Sequence, residues 1–251
     1  MTVPIPQRQP ASAELGHTVW PRVSEGDLVP VPVGSTEQHG PHLPLNTDSV
    51  IATEVARCAA GRLDTRVLLA PTITYGASGE HAGFPGTVSI GHEALRLVLM
   101  ETVRSLSLWA GRIAFVNGHG GNVPTLDTAV AQLRTEGHDV TWLSCDVPGG
   151  DAHAGRTETS LMLHFAPHDV RLAAAAPGGV RPLAELMPQL RARGVRALSP
   201  NGVLGDPTGA NAEEGHVQAQ AMVAATVTRV TAWCPDPRGR LLTPRTRTVR
   251  S

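Results

Sequence analysis

The sequence predicts an α/β protein in which helices cover both faces of a mainly parallel sheet. Short apolar runs of strand length alternate along the chain with longer segments whose apolar residues recur at helical spacing. Two of the apolar runs end in glycine-rich turns that carry imidazole or carboxylate side chains. The chain has 251 residues, a length that suits one domain of this class.

The predicted elements follow one another in a regular order. Apolar runs predict strands at 28–33, 67–73, 113–116 and 140–145. Helices are predicted at 48–62, 92–109, 123–136, 157–165, 184–193 and 212–233. The first of these helices has Val50, Ile51, Val55 and Ala59 on one face, and Gly137 is placed to cap the third.

Both ends of the chain are predicted to lie outside the domain. The first residues are polar and proline-rich, and the last are rich in arginine and proline without apolar periodicity. Segments of this kind lack the apolar surface that a packed element needs. We therefore expect a mobile tail at 1–20, a single domain at 21–234 and a disordered tail at 235–251.

The composition excludes several classes of function. The formal net charge is −1, so neither nucleic acid nor a membrane surface is expected as a partner. The chain contains no lysine, which rules out a lysine Schiff base or a lysine general base. Its 3 cysteines form no CxxC pair, and no signal or membrane segment is evident, so we expect a cytoplasmic protein.

Three side chains of metal-ligand type follow the first predicted strand. Glu37 and His39 are two residues apart, so both can face one cavity if the chain is extended there. Asp48 stands at the start of the next helix, and its two carboxylate oxygens can bridge a pair of cations. A turn and cap network at a strand end is the alternative, but the three residues together favour a metal site.

Two further clusters follow later strands. His119 lies in a loop of glycines and asparagines, where the backbone can approach a ligand closely. His153 and Glu158 form the third cluster, with Glu158 in the first turn of a predicted helix. Open α/β sheets place their chemistry at the carboxyl ends of strands. Paired divalent ions on such ligands activate water and polarise a carbonyl, so we predict a metal-dependent hydrolase.

The loop 76–87 is too rich in glycine to be a packed element, and we expect it to cover the site. Ser78, Glu80 and His81 are its candidate contacts to a substrate. The loop has no lysine, so it is not a Walker loop, and it lacks the GxGxxG order of a dinucleotide-binding turn.

These motifs resemble the creatininase family of metal-dependent amidohydrolases. The similar segments are 33–40, 46–48, 83–87, 117–119 and 158–160. The resemblance implies a three-layer α/β/α sandwich with two divalent metal ions, for which Fe²⁺ and Zn²⁺ are the first candidates and Mn²⁺ the third. It implies Glu37, His39, Asp48 and His119 as ligands, with Asp48 bridging, and His153 as a proton shuttle near the scissile bond.

The chain departs from the family pattern at Gly121, where creatininase itself has a glutamate ligand. Glu158 is expected to replace that ligand, as in family branches with the Gly-Gly-Asn form. The segment between His119 and His153 is also short, so the aromatic lid that shapes the creatinine pocket is expected to be absent. Creatinine is therefore not the expected substrate.

A closer resemblance is to the mycofactocin-system peptidase branch of that family, at segments 77–81, 151–160 and 201–210. It implies a modified precursor peptide as substrate, cut near its C-terminus to release a cyclised Val–Tyr-derived core. The family resemblance further implies a closed homo-oligomer, such as a hexamer.

The residues leave two other functions open. An amidohydrolase for a small cyclic amide or a formamide would use the same ligands and differ only in its pocket loops. The other is a non-catalytic subunit stabilised by metal. Such a subunit would need no free imidazole beside its ligands, and His153 is expected to be a free imidazole.

Overall fold

The computed structural model describes residues 12–244, in which five strands form one sheet. The strands are β1 (Ser12–Glu14), β2 (Leu28–Val33), β3 (Val67–Leu69), β4 (Arg112–Asn117) and β5 (Val140–Ser144). Their order is β1-β3-β2-β4-β5, and every pair is parallel. Val33 at the end of β2 stands opposite Asn117 at the end of β4, so the loops that follow both strands start side by side.

Helices cover both faces of this sheet. Within the described residues they are α1 (Thr47–Ala60), α2 (Gly91–Leu106), α3 (Val123–Thr135), α4 (Arg156–Phe165), α5 (Leu183–Arg193) and α6 (Ala212–Ala232). The core on one face contains residues of α1, α4 and α6, and the core on the other contains residues of α2 and α3. Strand residues alternate between them: Phe115 packs with α2 and α3, and Val116 packs with α1. The predicted three-layer α/β/α sandwich is confirmed.

All predicted strands and helices are present, with small shifts at their ends. β3 ends at Leu69 instead of 73, because Pro71 has no N–H to donate to a neighbouring strand. Ile73 still forms an isolated parallel bridge with Val33, which keeps the chain beside β2. Between residues 12 and 244, no helix is both long and apolar enough to cross a membrane.

The folded part extends beyond the predicted boundaries at 21 and 234. β1 lies within the segment predicted as a tail, and it pairs with β3 from Ser12 opposite Val67 to Glu14 opposite Leu69. At the other end, Leu241 is buried and its N–H donates to the carbonyl oxygen of Trp142 (2.8 Å). Both segments are held by partners distant in sequence, which local composition does not reveal. The rest of the two predicted tails, 1–11 and 245–251, lies outside the described residues.

Candidate metal centre

The ends of β2 and β4 bring the first two motifs to one place. The loop after β2 carries Glu37 and His39 before α1 begins at Thr47, and His119 follows the end of β4 by two residues. Gly34 is required where this loop passes α1, because a Cβ at that position would lie only 2.5 Å from the Cα of Ser49.

Asp48 lies between two imidazoles in the first turn of α1. Its Oδ1 is 3.1 Å from Nε2 of His39, and its Oδ2 is 3.1 Å from Nδ1 of His119. The hydroxyl of Ser35 donates to Oδ2 (2.7 Å). All four side chains are buried. Because each oxygen of Asp48 faces a different imidazole, this carboxylate could be shared by two cations.

Glu37 is fully buried, and neither of its carboxylate oxygens has a hydrogen-bond partner in the described part of the chain. Three imidazoles surround it. Oε1 lies 3.2 Å from Nε2 of His81 and 3.8 Å from Nδ1 of His153, and Oε2 lies 3.3 Å from Nε2 of His119. Burial raises the pKa of Glu37 to about 7. A buried carboxylate without partners is costly, and a cation would remove that cost, so the donor set fits a metal.

Glu158 approaches the cluster from the first turn of α4. Its Oε2 accepts the N–H of Ala154 (2.6 Å) and lies 3.9 Å from Nε2 of His39. Burial raises the pKa of Glu158 to about 7. The structure therefore brings together all five predicted ligands. Among residues 12–244, ligand atoms within 4.8 Å of one another occur in these groups: Glu37, His39 and Asp48; His39, His153 and Glu158; Glu37, His81 and His153.

The charges of these groups make the centre a favourable place for cations. Burial lowers the pKa of His39 and His119, but neighbouring carboxylates outweigh it and raise each pKa to about 10. The carboxylate that contributes most to raising the pKa is Asp48 for His39 and Glu37 for His119. Negative charge that holds a proton on a buried imidazole would also attract a divalent ion.

His153 is held by contacts of a different kind. Its backbone pairs with Leu204, with N–H···O distances of 3.2 and 2.8 Å in the two directions. Nε2 of its ring lies 2.8 Å from the carbonyl oxygen of Gln38, which leaves Nδ1 facing Glu37. Burial, followed by the charge of His39, lowers the pKa of His153 well below its usual range. The imidazole is therefore neutral.

Gln38 is a site residue that sequence reasoning missed. Its Nε2 lies 2.9 Å from Nδ1 of His81 and 3.0 Å from Nε2 of His153, and it donates to the carbonyl oxygen of Gly202 (3.0 Å). Alternation in an extended segment would turn Gln38 away from the face shared by Glu37 and His39. The only indication in the sequence that Gln38 belongs to the site was its position between Glu37 and His39.

The three residues of the loop 76–87 that were predicted to contact substrate all lie close to the metal centre. A 3-10 turn at Gly79–His81 buries His81 against Glu37. Ser78 is buried as well, and its hydroxyl has no hydrogen-bond partner among the described residues. Glu80 is more open, with its Oε1 lying 3.5 Å from Nε2 of His119. Burial, followed by the charge of His119, lowers the pKa of His81 to about 3.

Asn122 joins the three loops that follow β2, β3 and β4. Its Oδ1 accepts the N–H of Ala77 (2.9 Å). Its Nδ2 donates to the carbonyl oxygen of Gly34 (2.9 Å) and to Oδ1 of Asn117 (3.1 Å). Asn122 is completely buried, so one amide group fixes the relative positions of the loops that carry the candidate ligands.

Comparison with protein families gives a match over residues 17–230 to creatininase, described as creatinine amidohydrolase. The chain belongs to the creatininase family. It is thus a hydrolase of that family, as the motifs predicted. A mycofactocin precursor peptide peptidase of Mycobacterium ulcerans is 52% identical over 243 residues, which cover 94% of this chain and 97% of the relative.

Solved structures of creatininases share the fold of this creatininase-family chain. A mutant creatininase of the Zn-Zn type is 27% identical, with a TM-score of 0.72 and coverage of 89% of this chain and 98% of that one. A creatininase with Mn is 28% identical, with a TM-score of 0.72 and coverage of 90% and 100%. These relatives support a divalent metal as cofactor.

Proposed function

We propose that this chain is a metal-dependent peptidase that acts on the modified mycofactocin precursor peptide. It would hydrolyse an amide bond near the C-terminus of that peptide and release the cyclised Val–Tyr-derived core. The observation that carries this proposal is the 52% identity, over nearly the whole chain, to a relative named for that activity. The carboxylate–imidazole cluster supplies the chemistry that such a reaction requires.

The proposed ligands of two divalent cations are Glu37, His39, Asp48, His119 and Glu158. The buried, unpartnered oxygens of Glu37 and the two-sided contacts of Asp48 support this set. The candidate ions are Fe²⁺, Zn²⁺ and Mn²⁺, since mixed nitrogen and oxygen donors suit all three. When bound, such cations supply an activated water and polarise the carbonyl of the scissile amide.

His153 is proposed to transfer a proton to the leaving amine. The carbonyl oxygen of Gln38 holds Nε2 and thereby fixes the ring, while Nδ1 points into the cluster. A neutral imidazole in this position can take up a proton on the side of the attacking water and deliver it to the nitrogen that departs. Glu158, in the first turn of α4, accepts the N–H of Ala154, which steadies the segment that carries His153.

A groove of about 710 Å³ lies next in sequence to His153 and is lined in part by Asp151, Ala152 and Leu204, but none of the proposed ligands lines it. That volume lies within the range of ligand-binding clefts, roughly 300–1,000 Å³. Ser78, Glu80 and His81 on the loop 76–87 are the proposed substrate contacts. We also propose that the chain forms a closed homo-oligomer.

The test is an incubation of metal-loaded protein with modified precursor peptide, unmodified peptide and creatinine, followed by mass spectrometry. We expect release of the cyclised dipeptide core from the modified peptide alone. Asp48→Asn protein, prepared in the same way, controls for contaminating peptidases. Efficient opening of creatinine without peptide cleavage would show that the chain is a small-amide hydrolase instead.

A further inference from the structure

We infer that Glu80 supplies the metal-binding carboxylate that is missing at position 121. This inference rests on the proposed two-cation site and adds a sixth ligand to it. It also gives Glu80 a role other than contact with substrate. Glu80 and Glu158 would then serve different cations.

The carboxylate of Glu80 lies where a side chain at position 121 would begin. A Cβ placed on Gly121 would be 2.6 Å from Oε1 of Glu80 and 2.5 Å from the carbonyl oxygen of Ala77, and closer still to Nε2 of His119. Carbon atoms do not approach oxygen or nitrogen so closely without a bond. Glu80 in this position and a side chain at 121 therefore exclude one another.

The carboxylate of Glu80 also lies close to His119, one of the proposed ligands. Its Oε1 is 3.5 Å from Nε2 of His119, and Oε2 of Glu37 is 3.3 Å from the same nitrogen. Two carboxylates thus approach the same imidazole nitrogen, which also lies 3.3 Å from the carbonyl oxygen of Ala77. A cation held between the two carboxylates would give the buried oxygens of Glu37 a partner.

Glu158 serves the opposite end of the cluster. Its carboxylate is 3.9 Å from Nε2 of His39 and is tied to the N–H of Ala154. Neither contact is to His119 or to the loop that contains Gly121. Glu158 is thus placed to complete the His39 side, while Glu80 is placed to complete the side of Glu37 and His119.

The backbone around Glu80 is fixed on both sides. In the 3-10 turn, the N–H of His81 donates to the carbonyl oxygen of Ser78 (3.0 Å). Gly194, at the end of α5, packs against the carbonyl oxygen of Glu80, which a Cβ on that glycine would approach to 2.8 Å. Its φ of +71° is itself one that favours glycine. The turn that carries the carboxylate is therefore fixed in position, as a metal-ligating residue requires.

The experiment measures binding of Zn²⁺ by calorimetry to protein stripped with a chelator. Wild type, Glu80→Gln, Glu158→Gln and the double variant are compared, and Glu93→Gln serves as the matched control because Glu93 is an exposed residue of α2. We expect Glu80→Gln to weaken one of two binding events by at least about tenfold and to leave the other unchanged. Glu158→Gln should weaken the other event, the double variant both, and Glu93→Gln neither.

Glu80→Asp keeps the charge but shortens the side chain, so it should show intermediate affinity and provides a second variant if Glu80→Gln does not fold. Two binding events of wild-type affinity in Glu80→Gln, with only KM for the peptide raised, would show a substrate contact and overturn the inference. A wild-type protein that binds a single Zn²⁺ would overturn the two-cation proposal instead. Weakening of that single event by Glu80→Gln would still support Glu80 as a ligand.

Discussion

Four buried histidines meet in the metal centre, and the directions of their pKa shifts divide them into two pairs. His39 and His119 each lie 3.1 Å from an oxygen of Asp48, and carboxylates raise their pKa to about 10 against the effect of burial. His81 and His153 pack with ring centroids 4.4 Å apart, and burial and neighbouring charges lower the pKa of both. Side chains of one type and similar burial thus differ in the direction of their pKa shifts because different charges lie near them. The first pair is the one proposed to ligate cations, whose binding would displace the protons that the carboxylates hold there.

Asp48→Asn should have the largest effect on this contrast, because Asp48 contacts both histidines of the first pair. The amide has one oxygen and no charge, so we expect loss of bound metal and a fall in peptide hydrolysis of roughly a thousandfold or more. Metal analysis and a turnover assay check both results. An Asp48→Asn protein that retains two equivalents of metal would remove Asp48 from the ligand set.

His153→Ala tests the second pair. We expect it to keep its metals and to hydrolyse the modified peptide at least roughly a hundredfold more slowly, since general acid–base help is worth about 10²–10⁴ in rate. His216→Ala, on an exposed part of α6, is the matched control. Loss of metal together with activity would instead make His153 a ligand, and normal turnover with normal metal content would deny it any role in proton transfer.

Gln38→Ala should disturb the second pair without disturbing the first. It removes the amide that contacts His81 and His153, but the backbone carbonyl that holds Nε2 of His153 remains. We expect turnover to fall by about tenfold, the lower end of the effect of losing an orienting group near a metal site, with metal content unchanged. Equal losses of metal and turnover would show that Gln38 supports the first pair instead.

Ser35→Ala should have the smallest effect on turnover. The hydroxyl orients Oδ2 of Asp48 (2.7 Å), so its removal should weaken metal affinity by about tenfold. Turnover at saturating Zn²⁺ should stay close to that of the wild type. Ser105→Ala, at an exposed position of α2, is the control for the loss of a hydroxyl. A large fall in turnover at saturating metal would mean that Ser35 acts in the reaction itself.

The sheet and its helices could be predicted because each element shows its own periodicity. β2, α3 and α6 lie within one residue of their predicted bounds, since a buried strand and a half-buried helix each impose a spacing on their apolar residues. β1 has no such spacing. Its three residues are stabilised by pairing with β3, and Leu241 by contact with Trp142, and neither contact is encoded locally.

The candidate site was predictable as a set of residues but not as an arrangement. Residue types and strand-end positions were enough to bring Glu37, His39, Asp48 and His119 together. The expectation that Glu158 stands in for the glutamate missing at Gly121 rested on its presence in a motif. Only the folded structure shows that Glu80 lies beside Gly121, because the path of an irregular loop depends on tertiary contacts and not on spacing.

The hydrogen bonds of Asn122 have a consequence for how the enzyme meets its substrate. Because one buried amide joins the loops after β2, β3 and β4, none of the three can move without breaking a bond to another. The entropy of ordering these loops is therefore lost when the chain folds, and little of it is left to be lost on binding. Loops tied together in this way would favour a substrate whose own shape already fits the centre.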